Sequence, residues 1–182
     1  LVGSEMCIRD RVRVGELEGY VAKKYIFETE EDGEWYLLST STTKAGANTN
    51  RDININIASS YINGKILQPN EKFSFWDTVG KCTYDKGYKD ATVYSNGKKT
   101  KGIGGGVCQV STTVNMAVKS AGIKTNARQH SLPVSYASRE DEATVSFGNI
   151  DFKFTNTTGK TIMLVMGAVD GSCTCEVWAK YE

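Results

Sequence analysis

Two patterns of apolar positions divide the chain. Between residues 50 and 121 apolar side chains recur at helical spacing. Ile53, Ile57, Ala58 and Tyr61 stand at i, i+4, i+5 and i+8, and Val110, Val114, Ala117, Val118 and Ala121 form a second stripe. Asn50 offers the first helix a cap and Gly64 a stop, while Gly122 ends the second. The alternation Ile53, Ile55, Ile57 also permits a strand, so that segment is open to both readings. Further on the period changes to two. Residues 133–136, 143–147, 150–154, 161–168 and 173–181 predict strands. Shorter strands are predicted at 65–67 and 72–75, around a turn at Pro69-Asn70, and at 87–94 before a turn at Ser95-Asn96-Gly97. Two helices among mostly antiparallel strands imply an α+β fold, with the helices packed on one sheet.

The first part of the chain reads differently. Residues 12–27 carry apolar alternation, a turn at Gly15 and a second apolar stretch from Tyr20. Such a pair of strands cannot bury a core alone. Residues 39–50, STSTTKAGANTN, are small and polar, which suits a linker and a domain boundary. Residues 1–11, LVGSEMCIRDR, resemble a translated sequencing adapter and are set aside from the fold, as a tag would be. The natural start, with any export signal or membrane anchor, is then expected to lie upstream. The expected organisation is 1–11 artefact, 12–28 β fragment, 29–42 linker and 43–182 main domain.

Composition adds little. Of 182 residues 40% are hydrophobic and 24% charged, and the net charge is +1, which gives no electrostatic case for nucleic acid. No apolar run approaches the roughly 20 residues that span a bilayer. No cofactor or metal site is predicted: a site made of Cys82, Cys108, Cys173 and Cys175 would lack the paired C-x-x-C knuckle. Cys173 or Cys175 could pair with Cys82 in an oxidising compartment.

Candidate chemistry centres on residues 102–113, GIGGGVCQVSTT. A glycine-rich turn running into a helix sets Cys108 at the helix N-terminus, where unpaired N–H groups and the dipole favour a thiolate. Gly104, Gly105 and Gly106 would leave space for a substrate, and Gln109 and backbone N–H groups would serve an oxyanion hole. Ser111 and Tyr88 are further substrate-binding candidates. His130 is the only histidine, so any imidazole base is this residue. Glu142 or Asp141 would orient it, and Asp151 follows one strand later. The order Cys, His, carboxylate is similar to that of transglutaminase-like and NlpC-type cysteine hydrolases. Two plainer alternatives stand beside this one: a cysteine among glycines is often a small buried hydrophobe, and a lone histidine is often structural. A phosphate loop is disfavoured, because the Lys-Ser/Thr of that motif is missing.

Resemblances sharpen the picture. Gly19, Tyr20, Val21, Lys24 and Tyr25 resemble the close of a bacterial SH3-type domain, which would make residues 12–28 a truncated barrel. From Thr43 to about Tyr181 the chain resembles the VanW-like family. The resemblance runs through Asn63-Gly64, Pro69, Glu71, Phe73-Ser74-Phe75, Val79-Gly80, Gly87-Tyr88 and Ala91 to GIGGGVCQVSTT. It continues with His130-Ser131, Pro133-Val134-Ser135-Tyr136, Ala143-Thr144-Val145, Asp151-Phe152, Phe154 and Asn156. The family implies a bacterial cell-envelope, extracytoplasmic protein with peptidoglycan or another cell-wall component as partner, but it brings no mechanism. The chain departs from the family pattern where Glu142 replaces the usual Asp before Ala-Thr-Val, and where Val114-Asn115-Met116 replaces Leu-Tyr-Asn. Two functions are therefore expected in competition: a cysteine-dependent amide hydrolase or transpeptidase acting on peptidoglycan peptides, and a non-catalytic wall-binding module.

Overall fold

The computed structural model describes residues 9–14, 17–22, 35–46, 49–95 and 97–181. The chain forms two compact units, Leu1–Gly33 and Glu34–Glu182. In the first, β1 (Arg9–Val14) pairs antiparallel with β2 (Leu17–Ala22). β1 begins inside the stretch set aside as an adapter. The predicted turn at Gly15 lies outside the described residues, as does the remainder of 12–28 beyond β2. A two-stranded pair is common to many folds and does not identify an SH3-type barrel.

The second unit is built on its last strand. β10 (Ser172–Lys180) alternates strictly, burying Cys173, Cys175, Val177 and Ala179 on one face. It lies between β3 (Trp35–Lys44) and β9 (Ile162–Val169), and β4 (Lys65–Leu67) completes the antiparallel order β3-β10-β9-β4. The buried side chains of β10 are all small, so two helices can approach closely: α1 (Thr49–Ile62) over β9 and α3 (Val107–Ser120) over β3 and β10. Cys173 and Cys175 act here as small hydrophobes, and neither they nor Cys82 is in a disulfide. The α+β fold with helices on an antiparallel sheet is as expected, with a third, short helix α2 (Phe75–Val79) added.

Several details differ from expectation. Residues 39–44, read as linker, belong instead to the strand β3 at the sheet edge. Their small polar side chains face α3: Ser39 Oγ donates to Ala117 O at 2.7 Å, and the Thr43 and Thr113 hydroxyls are 2.7 Å apart. Thr49–Ile62 is helical, but its buried face is Asn54, Ile55, Ala58, Ser59 and Ile62, while Tyr61 is exposed. Asn50 does not cap it; its side chain donates to Asp90 O.

Four other strands occur. β5 (Lys72–Ser74) pairs with β8 (Lys153–Thr155), and β6 (Asp90–Ser95) pairs with β7 (Lys98–Ile103), whose four exposed leading residues gave no apolar signal. Asn96 of their predicted turn lies outside the described residues. Residues 133–136 and 143–147 form no strand, and of 150–154 only the end joins β8. Pro133 has no N–H to give a ladder. Side chains of α3 satisfy this backbone instead: Ser111 Oγ donates to Ala143 O at 2.6 Å, Thr112 Oγ1 accepts from Ala143 N, and Asn115 donates to Asp141 O. Residues 127–150 therefore run as irregular chain beside α3.

The glycine loop is fixed from both sides. Asn54, fully buried, accepts from Lys89 N and donates to the carbonyls of Lys89 and Gly105. A Cβ on Gly105 would stand 2.6 Å from Thr92 O, against backbone that cannot yield cheaply. Gly105→Ala is expected to destabilise the fold by about 1–3 kcal/mol, read as a lowered urea midpoint. An unchanged midpoint would mean the loop is not packed this way.

Candidate functional site

A cavity of about 920 Å³ opens where the glycine loop, the start of α3 and the irregular chain 129–150 meet. Cys108 sits on its wall in the first turn of α3. The helix begins at Gly106, whose φ of +112° suits glycine and which supplies no side-chain cap. The thiol donates to Val145 O at 3.4 Å and lies 3.9 Å from Thr144 Oγ1. Burial pushes its pKa up; the bonds to Val145 and Thr144 and the Arg51 charge pull the other way without reversing it. At neutral pH it is a thiol, against the expectation of a helix-stabilised thiolate.

His130 lines the same cavity and is almost fully buried. Its Nδ1 lies 3.3 Å from Glu142 Oε2. Glu142, 2% exposed, is held by four groups: the backbone N–H of His130 (2.8 Å), that of Val134 (3.2 Å), the Arg139 guanidinium (2.7 Å) and the imidazole. Burial alone would raise the Glu142 pKa; the backbone donors, Arg139 and His130 together hold it below the ordinary glutamate value. Burial lowers the His130 pKa, and the Glu142 charge only partly offsets this. The ring is therefore neutral at pH 7, with its proton favoured on Nδ1 facing the carboxylate and Nε2 left as the acceptor.

The residues expected from the sequence separate into two groups. Cys108, His130, Gly104, Gly105 and Gly106 line the cavity, with Glu142 behind His130. Asp141 does not join them: it pairs with Lys119 at 2.6 Å near the far end of α3, which lowers its pKa. Gln109 borders the cavity, but its amide is committed, accepting from Arg51 and donating to Gly171 O and Thr43 O, so it cannot also serve an oxyanion. Ser111 and Tyr88 are wholly buried, the serine bonded to the Cys108 and Ala143 carbonyls and the tyrosine in the core. Asp151 is the cap partner of α2, accepting from Ser74 Oγ and Trp76 N.

Arg51 was not expected from the sequence. It stands in the first turn of α1, donates to Gln109 Oε1 at 2.8 Å and lies 5.7 Å from the centre of the Tyr136 ring. The only signal in the sequence is a basic residue at a helix start, where the dipole disfavours it. Trp76 and Phe147, edge to face at 5.5 Å, add aromatic wall.

Comparisons with known proteins agree on one kinship. Residues 50–178 match the family described as VanW like protein. YoaR of Bacillus subtilis is 39% identical over 145 residues, covering 79% of this chain and 46% of that protein. The vancomycin B-type resistance protein VanW of Enterococcus faecalis is 30% identical over 142 residues, covering 73% of this chain and 46% of that protein. The chain thus spans just under half the length of these two relatives. No solved structure matches it. By the family match and by both relatives, this chain belongs to the VanW-like family.

Proposed function

We propose that the domain is a cell-envelope, extracytoplasmic enzyme that cleaves or transfers an amide bond of peptidoglycan peptides through Cys108. One observation carries the reading: a buried, neutral His130, oriented by Glu142, lines the same cavity as Cys108. That is the acid-oriented base which a thiol nucleophile needs. The substrate class draws on the vancomycin resistance for which the enterococcal relative is named. No helix of the described residues is long and apolar enough to cross a membrane.

In this scheme substrate binding turns the thiol from Val145 O towards His130. Nε2 takes the Sγ proton as sulfur attacks the amide carbonyl carbon. The C–N bond breaks, the imidazolium returns its proton to the departing amine, and an acyl thioester remains. Water or a second amine then attacks the thioester, giving hydrolysis or transpeptidation. The backbone N–H of Cys108 replaces the Gln109 side chain as oxyanion donor, those of Val107 and Gln109 being bonded to Gly104 O and Gly106 O. Incubating the domain and its Cys108→Ala variant with purified muropeptides tests this. Turnover confined to the wild type, with a base limb below pH 6.5 as the lowered His130 pKa requires, supports it.

A second reading, a wall-binding module without chemistry, has its own support in the thiol that donates to Val145 O and is held protonated by burial. If it holds, alkylation of Cys108 by iodoacetamide is slow at pH 7, rises only above the ordinary thiol pKa, and does not respond to muropeptides. Faster alkylation in their presence favours the enzyme, because the substrate would then be bringing thiol and imidazole together.

A further inference from the structure

Among the described residues the charged side chains on the cavity wall are basic. Arg51 and Lys81 both line it, and no aspartate or glutamate does among the described residues. This is not the background of the protein, which carries 22 basic and 21 acidic residues. Glu142, behind His130, does not line the cavity and is held by Arg139 and backbone N–H groups. A second source of positive potential lies beside Arg51. The fourteen-residue helix α3 starts on this wall without a side-chain cap; its Val107 and Gln109 N–H groups bond to Gly104 O and Gly106 O, so it contributes through its dipole.

The Arg51 guanidinium is also pre-set. Gln109, buried and anchored to the carbonyls of Thr43 and Gly171, offers Oε1 to one Arg51 nitrogen, and the Tyr136 ring lies under the group. A Cβ on Gly106 would stand 2.9 Å from Arg51 Cγ, so the absence of a side chain there lets the arginine lie against the loop. A guanidinium fixed in this way loses little entropy on binding, and its planar donors match a carboxylate. The aromatic pair Trp76 and Phe147 gives apolar surface for the rest of the ligand.

We infer that this cavity takes a peptide bearing a free carboxylate, and that Arg51 receives the carboxylate. The inference deepens the reading of the cavity as a ligand site, and it does not depend on the chemistry of Cys108. Binding can therefore be measured in the Cys108→Ala protein, where a failure of catalysis cannot mask it. The probes are N-acetyl-dialanine and its C-terminal amide, titrated by calorimetry or NMR. The free acid is expected to bind about 10- to 100-fold tighter than the amide, with the preference weakening as salt is raised. Arg51→Gln is expected to abolish the preference, and Lys81→Gln, at an exposed site, to reduce it in part. Arg51→Lys keeps the charge without the planar fork, and is expected to retain a smaller preference for the acid. Equal binding of acid and amide overturns the inference, as does failure of both to saturate the folded protein. A preference that survives in Arg51→Gln overturns the role of Arg51.

Discussion

Replacing Cys108 by alanine is expected to lower amide turnover by about 10⁴-fold or more while leaving binding of the peptide substrate nearly unchanged. The size of the loss follows from the covalent route. Without sulfur there is no acyl intermediate, and what remains is the cavity's ability to hold a peptide near a backbone donor. The fold should tolerate the change. The thiol's bonds go to Val145 O and Thr144 Oγ1, and alanine is smaller than cysteine in a place that already opens to a cavity. The lost thiol bond is weak, so the stability cost is expected at about 1 kcal/mol or less. Equal and nonzero turnover by wild type and variant would remove Cys108 as nucleophile.

Glu142→Gln is expected to cost about 2–3 kcal/mol of stability, because it leaves donors of a buried site facing an amide nitrogen, while the half-exposed Arg139 can turn to solvent. The Arg139 guanidinium, two backbone N–H groups and the imidazole converge on this carboxylate. A neutral amide cannot accept from all of them. The pH dependence separates this role from mere packing. The folded Glu142 pKa lies below the ordinary glutamate value of 4.5, so its contribution is complete above that value and is lost as pH falls through the lower folded value. The folded His130 pKa lies below 6.5, so the unfolded chain binds that proton first, and stability starts to fall once pH drops below 6.5. Urea midpoints between pH 4 and 8 should therefore decline on acidification in the wild type, and the segment below 4.5 should flatten in Glu142→Gln. Equal acid slopes in the two proteins would mean that Glu142 is not the charged hub of this site.

What the sequence made legible depended on how local the governing contact is. α3, β9 and β10 carry unbroken periodicity and were readable within a residue or two. The face of α1 was not. Its isoleucines alternate, and the decision between faces was made by Asn54, whose partners are backbone groups of Lys89 and Gly105. The second half of β3, from Ser39, looked like a linker because threonine and serine are small and polar, and α3 supplies the hydroxyl and carbonyl partners that let Ser39 and Thr43 be buried. The irregular chain around residues 133–147 has the pattern of strands without their ladders for the converse reason: its backbone bonds go to side chains of a helix. At the site, Cys108 and His130 were accessible to local reasoning. The choice between Asp141 and Glu142 was made by Lys119, which takes the aspartate, and by Arg139, which takes the glutamate. Arg51 gave almost no local signal, since its position depends on Gln109 and Tyr136, which are far along the chain.

The order of the central sheet has a consequence for assembly. β10, which pairs with β3 on one side and β9 on the other, is the last strand described. Ser172 to Lys180 face residues 44 to 35, so the two ends of the unit are zipped together along nearly their whole lengths. During synthesis α3 is made well before β10, on whose small buried side chains it rests, while α1 lies over β9. Until Lys180 has joined the chain, α3 lacks the strand beside β3 on which it packs, and loop closure over such sequence separations is entropically slow. Docking of β10 is therefore expected to be a late step in the folding of this unit, since it is the strand that joins β3 to β9.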